Sequence, residues 1–224
     1  MSGKIYIVAT PIGNLQDITL RALEVLKSVK VVLAEDTRKA SILLNHYQIR
    51  PDKLISYYSQ NESKRLPQIM DILESGEDIA LISEAGTPLI SDPGFLLTQE
   101  AVKKEIPMIP IPGASAITTL LPVSAFPLSS FYFGGFLSPK SGKRKNQLKK
   151  LKDLETVLIF YESPYRILKT INDMKEVFGE EKEVVIGREL TKKFEEIIRG
   201  NLSEVCLENN FLVKGEFCII LKNC

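Results

Sequence analysis

The chain alternates two hydrophobic rhythms through its first half. Short, nearly continuous apolar runs at residues 5–9, 29–34, 78–82 and 108–111 read as buried strands, and residues 53–57 form a weaker one. Amphipathic stretches lie between them. Residues 17–28 carry Leu20, Leu23 and Leu26 on one face. A second helix opens at Glu35-Asp36-Thr37-Arg38 and runs to about Tyr47. A third covers residues 66–74 and stops at Gly76. A fourth covers residues 93–104, with Asp92 as its expected N-cap and Pro93 at its first position. Strand and helix in strict alternation predict a mostly parallel sheet with helices on both faces.

The texture changes after Ser115. Pro122, Pro127 and Ser129-Ser130 punctuate a connection. Phe131-Tyr132-Phe133 then starts a new strand, followed by a basic helix at 143–152, a strand at 156–160, a helix at 165–178 and strands at 183–188, 194–199 and 216–221. The prediction is two α/β domains, residues 1–118 with a parallel sheet and residues 119–224 with a mixed one.

Composition narrows the chemistry. At 224 residues, 44% hydrophobic and 25% charged, the chain matches ordinary globular proteins. No apolar stretch is long enough to span a membrane, and the amino terminus runs directly into a strand, so no secretory leader is read. Three cysteines, Cys206, Cys218 and Cys224, lack metal-ligand spacing and suit reduced thiols in a cytoplasmic protein. The single histidine, His46, leaves little for metal catalysis or a Ser-His-Asp triad. No metal is expected.

Four loops at strand carboxyl ends stand out, because open α/β sheets bind ligands there. The richest is Ser83-Glu84-Ala85-Gly86-Thr87-Pro88-Leu89-Ile90-Ser91-Asp92-Pro93-Gly94. Gly86 permits close backbone approach, and Pro88 stiffens the chain. Pro112-Gly113-Ala114-Ser115-Ala116 is a second small-residue loop. Gly86 and Gly113 are expected to line one crevice, although each loop alone also fits a tight strand-to-helix connection. Thr10-Pro11-Ile12-Gly13-Asn14 is the third. Glu35 to Arg38 is the fourth: its acids suit a helix start, while Arg38 could hold a phosphate or carboxylate. Neither a Walker loop nor a Gly-x-Gly-x-x-Gly is present. Lys140, Lys143, Arg144, Lys145, Lys149, Lys150 and Lys152 form a run without an acid in a chain of net charge +1. Such a run is either a solvated face or a phosphate-contacting surface, and its segregation favours phosphate.

These residues resemble the tetrapyrrole-methylase superfamily. The likeness is carried by Ala9 to Leu15, Glu35 to Arg38, Ser83 to Gly94, Ile111 to Ala116, Gly135-Phe136-Leu137, Phe160-Tyr161-Glu162-Ser163-Pro164 and Arg188-Glu189-Leu190-Thr191-Lys192, in order along the chain. The resemblance is to the branch acting on small-subunit ribosomal RNA. It implies S-adenosylmethionine in a cleft between two α/β domains, a homodimer, and methylation of the ribose 2′-oxygen of a decoding-centre cytidine in 16S rRNA (position 1402 in the usual rRNA numbering). Pro11, Ile12, Thr87, Pro88, Ile90, Ser115, Ala116, Tyr161, Glu162 and Leu190 match its cofactor positions. The chain departs from the pattern at Glu84, where the family usually has Asp, and at Tyr165, where it usually has His. It also ends at Cys224, where many members continue into a helical tail.

Methyl transfer to a ribose hydroxyl calls for alignment and, because the hydroxyl is a poor nucleophile, for a base. Candidate catalytic residues are Glu35, Asp36, Arg38 and Glu84, with Glu162 a further carboxylate at a loop start. The alternatives are a superfamily methyltransferase with a small-molecule or protein acceptor, and a non-catalytic RNA-binding module.

Overall fold

A computed structural model describes residues 2–205 and 213–224. Two compact units divide the chain, one up to Ser115 and one from Ala116 onward.

The first unit is built on five strands, β1 (Ile5–Val8), β2 (Val31–Ala34), β3 (Lys53–Ser56), β4 (Ile79–Ile82) and β5 (Met108–Ile111). They lie in the order β3-β2-β4-β1-β5 and every pairing is parallel. All four residues of β2 and of β4 are buried, as expected of runs covered on both faces. Four helices connect them: α1 (Leu20–Ser28), α2 (Thr37–His46), α3 (Glu62–Glu74) and α4 (Phe95–Lys103). Right-handed crossovers fix their faces. Steps towards the β3 edge put Ala22 and Leu26 of α1 and Ala40 and Leu44 of α2 on one face. Steps towards the β5 edge put Ile69 and Leu73 of α3 and Leu97 and Ala101 of α4 on the other.

Three local expectations change. A 3₁₀ turn (Leu15–Asp17) precedes α1, and Thr19 is its N-cap, accepting from the Ala22 amide at 3.1 Å. The helix thus starts later, and Ala22 and Leu26 face the core with Leu23 packed beside them, while Leu20, its first residue, is 80% exposed. The third helix begins a turn early, at Glu62, with Pro67 inside it. Asp92 does not cap α4. Gly94 is the N-cap residue, at φ +133°, and the buried Glu62 carboxylate caps the helix from α3, accepting from the Gly94 amide at 2.5 Å and the Leu96 amide at 3.3 Å. A carboxylate at a helix amino terminus is favoured by the dipole and satisfies orphan amides.

The second unit has a mixed sheet in the order β6-β7-β10-β8-β9. Its strands are β6 (Phe131–Phe136), β7 (Val157–Glu162), β8 (Glu183–Arg188), β9 (Glu196–Asn201) and β10 (Phe217–Lys222). Among the described residues of this unit only β6 and β7 pair in parallel. The helices are α5 (Ala116–Leu120), α6 (Ser141–Lys149) and α7 (Ile167–Phe178). Helix α7 turns Ile167, Ile171, Met174 and Val177 into the core against Leu158, Phe160 and Ile219. Strand β6 shifts register between Phe133 and Phe136, across Gly134-Gly135. A side chain at Gly134 would meet the Phe160 ring at 2.6 Å, which explains glycine there. Cys218 is buried, and burial pushes its thiol up to about 12, leaving it unreactive. Cys224 is exposed, and Cys206 lies outside the described residues.

Candidate functional site

Three of the four loops meet at the carboxyl edge of the first sheet. Strand β1 lies between β4 and β5, so the loops that follow these strands are neighbours. The Thr10 amide donates to the Gly86 carbonyl at 2.8 Å, and the Gly86 amide returns a bond to the Thr10 carbonyl at 3.1 Å. The Ser83 hydroxyl also donates to the Gly86 carbonyl, at 2.8 Å, and the Thr10 hydroxyl donates to the Ser83 carbonyl at 3.3 Å. Thr87 donates to the Ala114 carbonyl at 3.5 Å. Ile12 closes over Gly86, its Cγ2 being 3.4 Å from where a β-carbon would stand. Pro11, Ile12, Gly86, Thr87, Pro88, Gly113 and Ser115 therefore belong to one hydrogen-bonded group of loops. Ile90 stands at the exposed rim, its amide bonded to the Thr87 carbonyl at 3.3 Å. Ala116 opens α5 and belongs to the second unit.

Backbone strain marks the same segment. Leu89 at φ +69° and Ser91 at φ +70° occupy left-handed conformations that L-residues rarely adopt. Such residues collect at binding and catalytic loops, where surrounding structure holds them. Gly113 has a simpler reason. A β-carbon there would lie 2.9 Å from the Ala9 β-carbon, so glycine lets the β5 loop lie against the end of β1.

Carboxylates gather at the neighbouring switch point. Strands β2 and β4 are adjacent, with Ala34 opposite Ile82. The chain leaves β2 into α2 on one face and leaves β4 towards α4 on the other. In open α/β sheets such a divergence is where ligands bind. Glu35 follows β2, Glu84 follows β4, and Asp92 lies farther along the β4 loop. Burial raises the Glu35 carboxyl above its usual range, helped by the charge of Glu84. Burial, with Glu35 and Glu84 facing it, raises Asp92 to about 7. Lys39 pairs with Glu84.

Asp36 and Arg38 are occupied locally. Asp36 is the N-cap of α2, accepting from the Arg38 amide at 2.8 Å, and its carboxylate takes the guanidinium in a two-pronged pair at 3.1 and 2.7 Å. The Arg38 bonds hold the Asp36 carboxyl well below the usual range, which makes it a poor proton acceptor. His46 lies in the last turn of α2, edge-on to Tyr47 at 4.7 Å.

In the second unit Tyr161 ends β7 with Phe133 and Phe136 edge-on to it at 4.9 and 5.7 Å. Glu162 is buried and engaged, accepting from the Thr170 hydroxyl at 2.6 Å and the Ser163 amide at 2.8 Å, and paired with Arg166 at 2.7 Å. Its job is to shape the loop after β7. Leu190 is buried in a turn where Glu189 and Thr191 take positive φ.

One member of the basic run is corrected. Arg144 is 1% exposed, so it cannot meet solvent-borne phosphate. Its Nε donates to Asp173 at 2.7 Å and its Nη1 to the Ser138 carbonyl at 3.1 Å, anchoring α6 to α7. Lys145 is half-buried and paired with Glu176 at 2.9 Å. Lys140, Lys143, Lys149 and Lys150 are exposed and have no ion pair among the described residues.

Sequence reading missed Asp92 as a titrating group, because Asp-Pro before a helix reads as a cap. Its place in the loop that carries Glu84 was the available signal. The fold and the linked loops define an α/β protein whose small-residue loops gather at the carboxyl edge of a parallel sheet, the edge at which such sheets bind ligands.

The family model for Tetrapyrrole (Corrin/Porphyrin) Methylases matches residues 4–206, and the chain belongs to this family. A relative from Mycoplasmopsis pulmonis, "Ribosomal RNA small subunit methyltransferase I", is 54% identical over 97% of this chain and 96% of its own length. A relative of the same name from Halalkalibacterium halodurans is 46% identical over 98% of this chain and 76% of its own length. Relatives with and without additional sequence thus share the name. Among solved structures, uroporphyrin-III C-methyl transferase from Thermus thermophilus complexed with S-adenyl homocysteine superposes with TM-score 0.68 at 15% identity, over 97% of each chain. That likeness concerns the fold.

Proposed function

We propose that this chain transfers a methyl group from S-adenosylmethionine to the ribose 2′-oxygen of a decoding-centre cytidine, position 1402, in 16S rRNA of the small ribosomal subunit. The observation that carries the reading is the 54% identity, along almost the whole of both chains, to a relative named for methylation of small-subunit ribosomal RNA. The methyl donor is S-adenosylmethionine, and the acceptor class is ribosomal RNA. The 2′-oxygen, the cytidine, a homodimeric assembly and a cytoplasmic location belong to the proposal.

The residues present fit this donor. The Thr10, Gly86 and Ala114 loops present small side chains and backbone groups, suited to a neutral nucleoside, with no ionised side chain among their mutual bonds. The adjacent carboxylates Glu35 and Glu84 suit a cationic ligand bearing a sulfonium and an ammonium. When bound, S-adenosylmethionine supplies an already activated methyl group. The protein's contribution is then alignment and exclusion of water, and orientation of this kind is worth roughly 7–11 kcal/mol of barrier. The acceptor hydroxyl must lose a proton. A base works best when its pKa lies near the working pH. Asp92, at about 7, meets that condition, whereas Asp36, held low by Arg38, does not; Glu162 already accepts from Thr170 and Ser163 and pairs with Arg166.

The test compares three acceptors with labelled S-adenosylmethionine: assembled small subunits from a methylation-deficient strain, a short decoding-site hairpin, and free cytidine. Remote phosphate contacts should supply the binding energy that aligns the 2′-oxygen. Small subunits should be the best acceptor and cytidine inert. Efficient methylation of cytidine alone would return the assignment to a small-molecule acceptor.

A further inference from the structure

Among the exposed aromatic side chains of the second unit, two stand on loops that hydrogen bonds and an ion pair tie to one another. Tyr165, in the loop between β7 and α7, is 90% exposed, although the loop around it is fixed by the Glu162–Arg166 pair and the Ser163 amide. Phe136, at the end of β6, leans one edge on Tyr161 and leaves 54% of its surface to solvent. Arg166 Nη1 donates to the Leu137 carbonyl at 3.0 Å, which ties the two loops together at one end of the sheet. The next residues lead into α6, held by the Arg144 bond to the Ser138 carbonyl, and here Lys140 and Lys143 stand exposed. The carboxylates at this end of the sheet are paired: where β10 and β8 run antiparallel, Glu189 and Glu216 share Lys192, and Glu196 pairs with Arg188. Glu162 and Asp173 are buried and paired, and Glu176 is paired with Lys145.

Packing does not account for a rigid loop that displays a tyrosine, and an unneutralised cationic rim selects a polyanion. Flat aromatic faces beside cations are how proteins hold unpaired nucleotides: bases stack, and phosphates meet the charges. We propose that Phe136 and Tyr165 are stacking platforms for unpaired bases of the RNA substrate, with Lys140 and Lys143 on the flanking phosphates. The inference rests on the ribosomal RNA reading above and adds that the substrate is engaged as an unstacked strand.

Fluorescence anisotropy on the full chain, with a labelled single-stranded RNA and a duplex of the same sequence, tests it. Tyr165→Ala, Phe136→Ala and Phe136→Leu should each weaken single-strand binding at least about fivefold, with the salt dependence unchanged. Phe136→Leu keeps an apolar side chain against Tyr161, so its loss reports the flat ring and not the fold. Lys140→Gln with Lys143→Gln should flatten the salt slope by about 1.4. A circular-dichroism spectrum and a thermal midpoint like those of the wild type verify that every variant folds. Aromatic variants that bind single strands as the wild type does, while the lysine pair loses affinity, would overturn the stacking inference and leave the RNA reading intact. A wild type that binds assembled small subunits but neither RNA would overturn the single-strand inference alone, and one that binds none of the three would overturn both. A homodimer dissolved by the aromatic substitutions at unchanged RNA affinity would assign the patch to a second copy of the chain.

Discussion

Replacing Asp92 by Asn should change stability in a pH-dependent way. Asp92 has a native value of about 7 against an ordinary 3.8, because burial and the facing Glu35 and Glu84 disfavour its charge. An acid with a raised native pKa stabilises the fold fully below its unfolded value. That contribution is lost as pH rises through the native value. At 1.36 kcal/mol per pH unit, the displacement is worth about 4 kcal/mol in a dry site. The carboxyl is only partly buried, and screening reduces this to about 1–2 kcal/mol. Asn is isosteric and never ionises, so the variant escapes the loss. Urea unfolding of both proteins at pH 4.5 and 8.5 isolates the effect, because groups common to both cancel in the difference. The variant should gain about 1–2 kcal/mol on the wild type between the two pH values. Glu84→Gln removes one facing charge and should shrink the wild-type loss. An Asp92→Asn difference that is constant across pH would refute the carboxylate cluster.

Asp92→Asn should also lower methyl transfer at least tenfold while calorimetric binding of S-adenosylmethionine persists; an unaltered turnover would remove Asp92 as the base. Asp173→Asn strands the buried Arg144 and should cost about 3–5 kcal/mol in denaturant unfolding. Lys143→Gln, on the exposed face of the same helix, should stay within about 0.5 kcal/mol. Gly113→Val drives a branched side chain into Ala9 and should cost about 1–3 kcal/mol of stability, so lost ligand binding in that variant reports packing unless unfolding shows an intact protein.

What the sequence made legible was whatever local pattern decides. β2, β4 and β5 read correctly because continuous apolar runs between turn residues have few other fates, and Glu183–Arg188 matches its predicted bounds for the same reason. The loops at Thr10, Gly86 and Pro112 were visible as small-residue breaks, and parallel topology alone makes them neighbours. The α4 cap was not legible, because its partner is Glu62, thirty-two residues earlier, and no local spacing reports a carboxylate arriving from another helix. Arg144 was misread for a related reason. A charge run says nothing about which member turns inward, although Arg144 and Leu148, one turn apart, share the buried face of α6. The state of Asp92 depends on Glu35 and Glu84 converging from separate strands, which only the sheet order supplies.

The central claim is tested most directly by identifying the methylated nucleoside. Small subunits from a methylation-deficient strain, treated with this protein and S-adenosylmethionine, are digested to nucleosides and analysed by mass spectrometry, with the modified position mapped on the 16S rRNA. The account predicts 2′-O-methylcytidine at a single decoding-centre position. A methyl group on a base, on another nucleotide, or on ribosomal protein would contradict it.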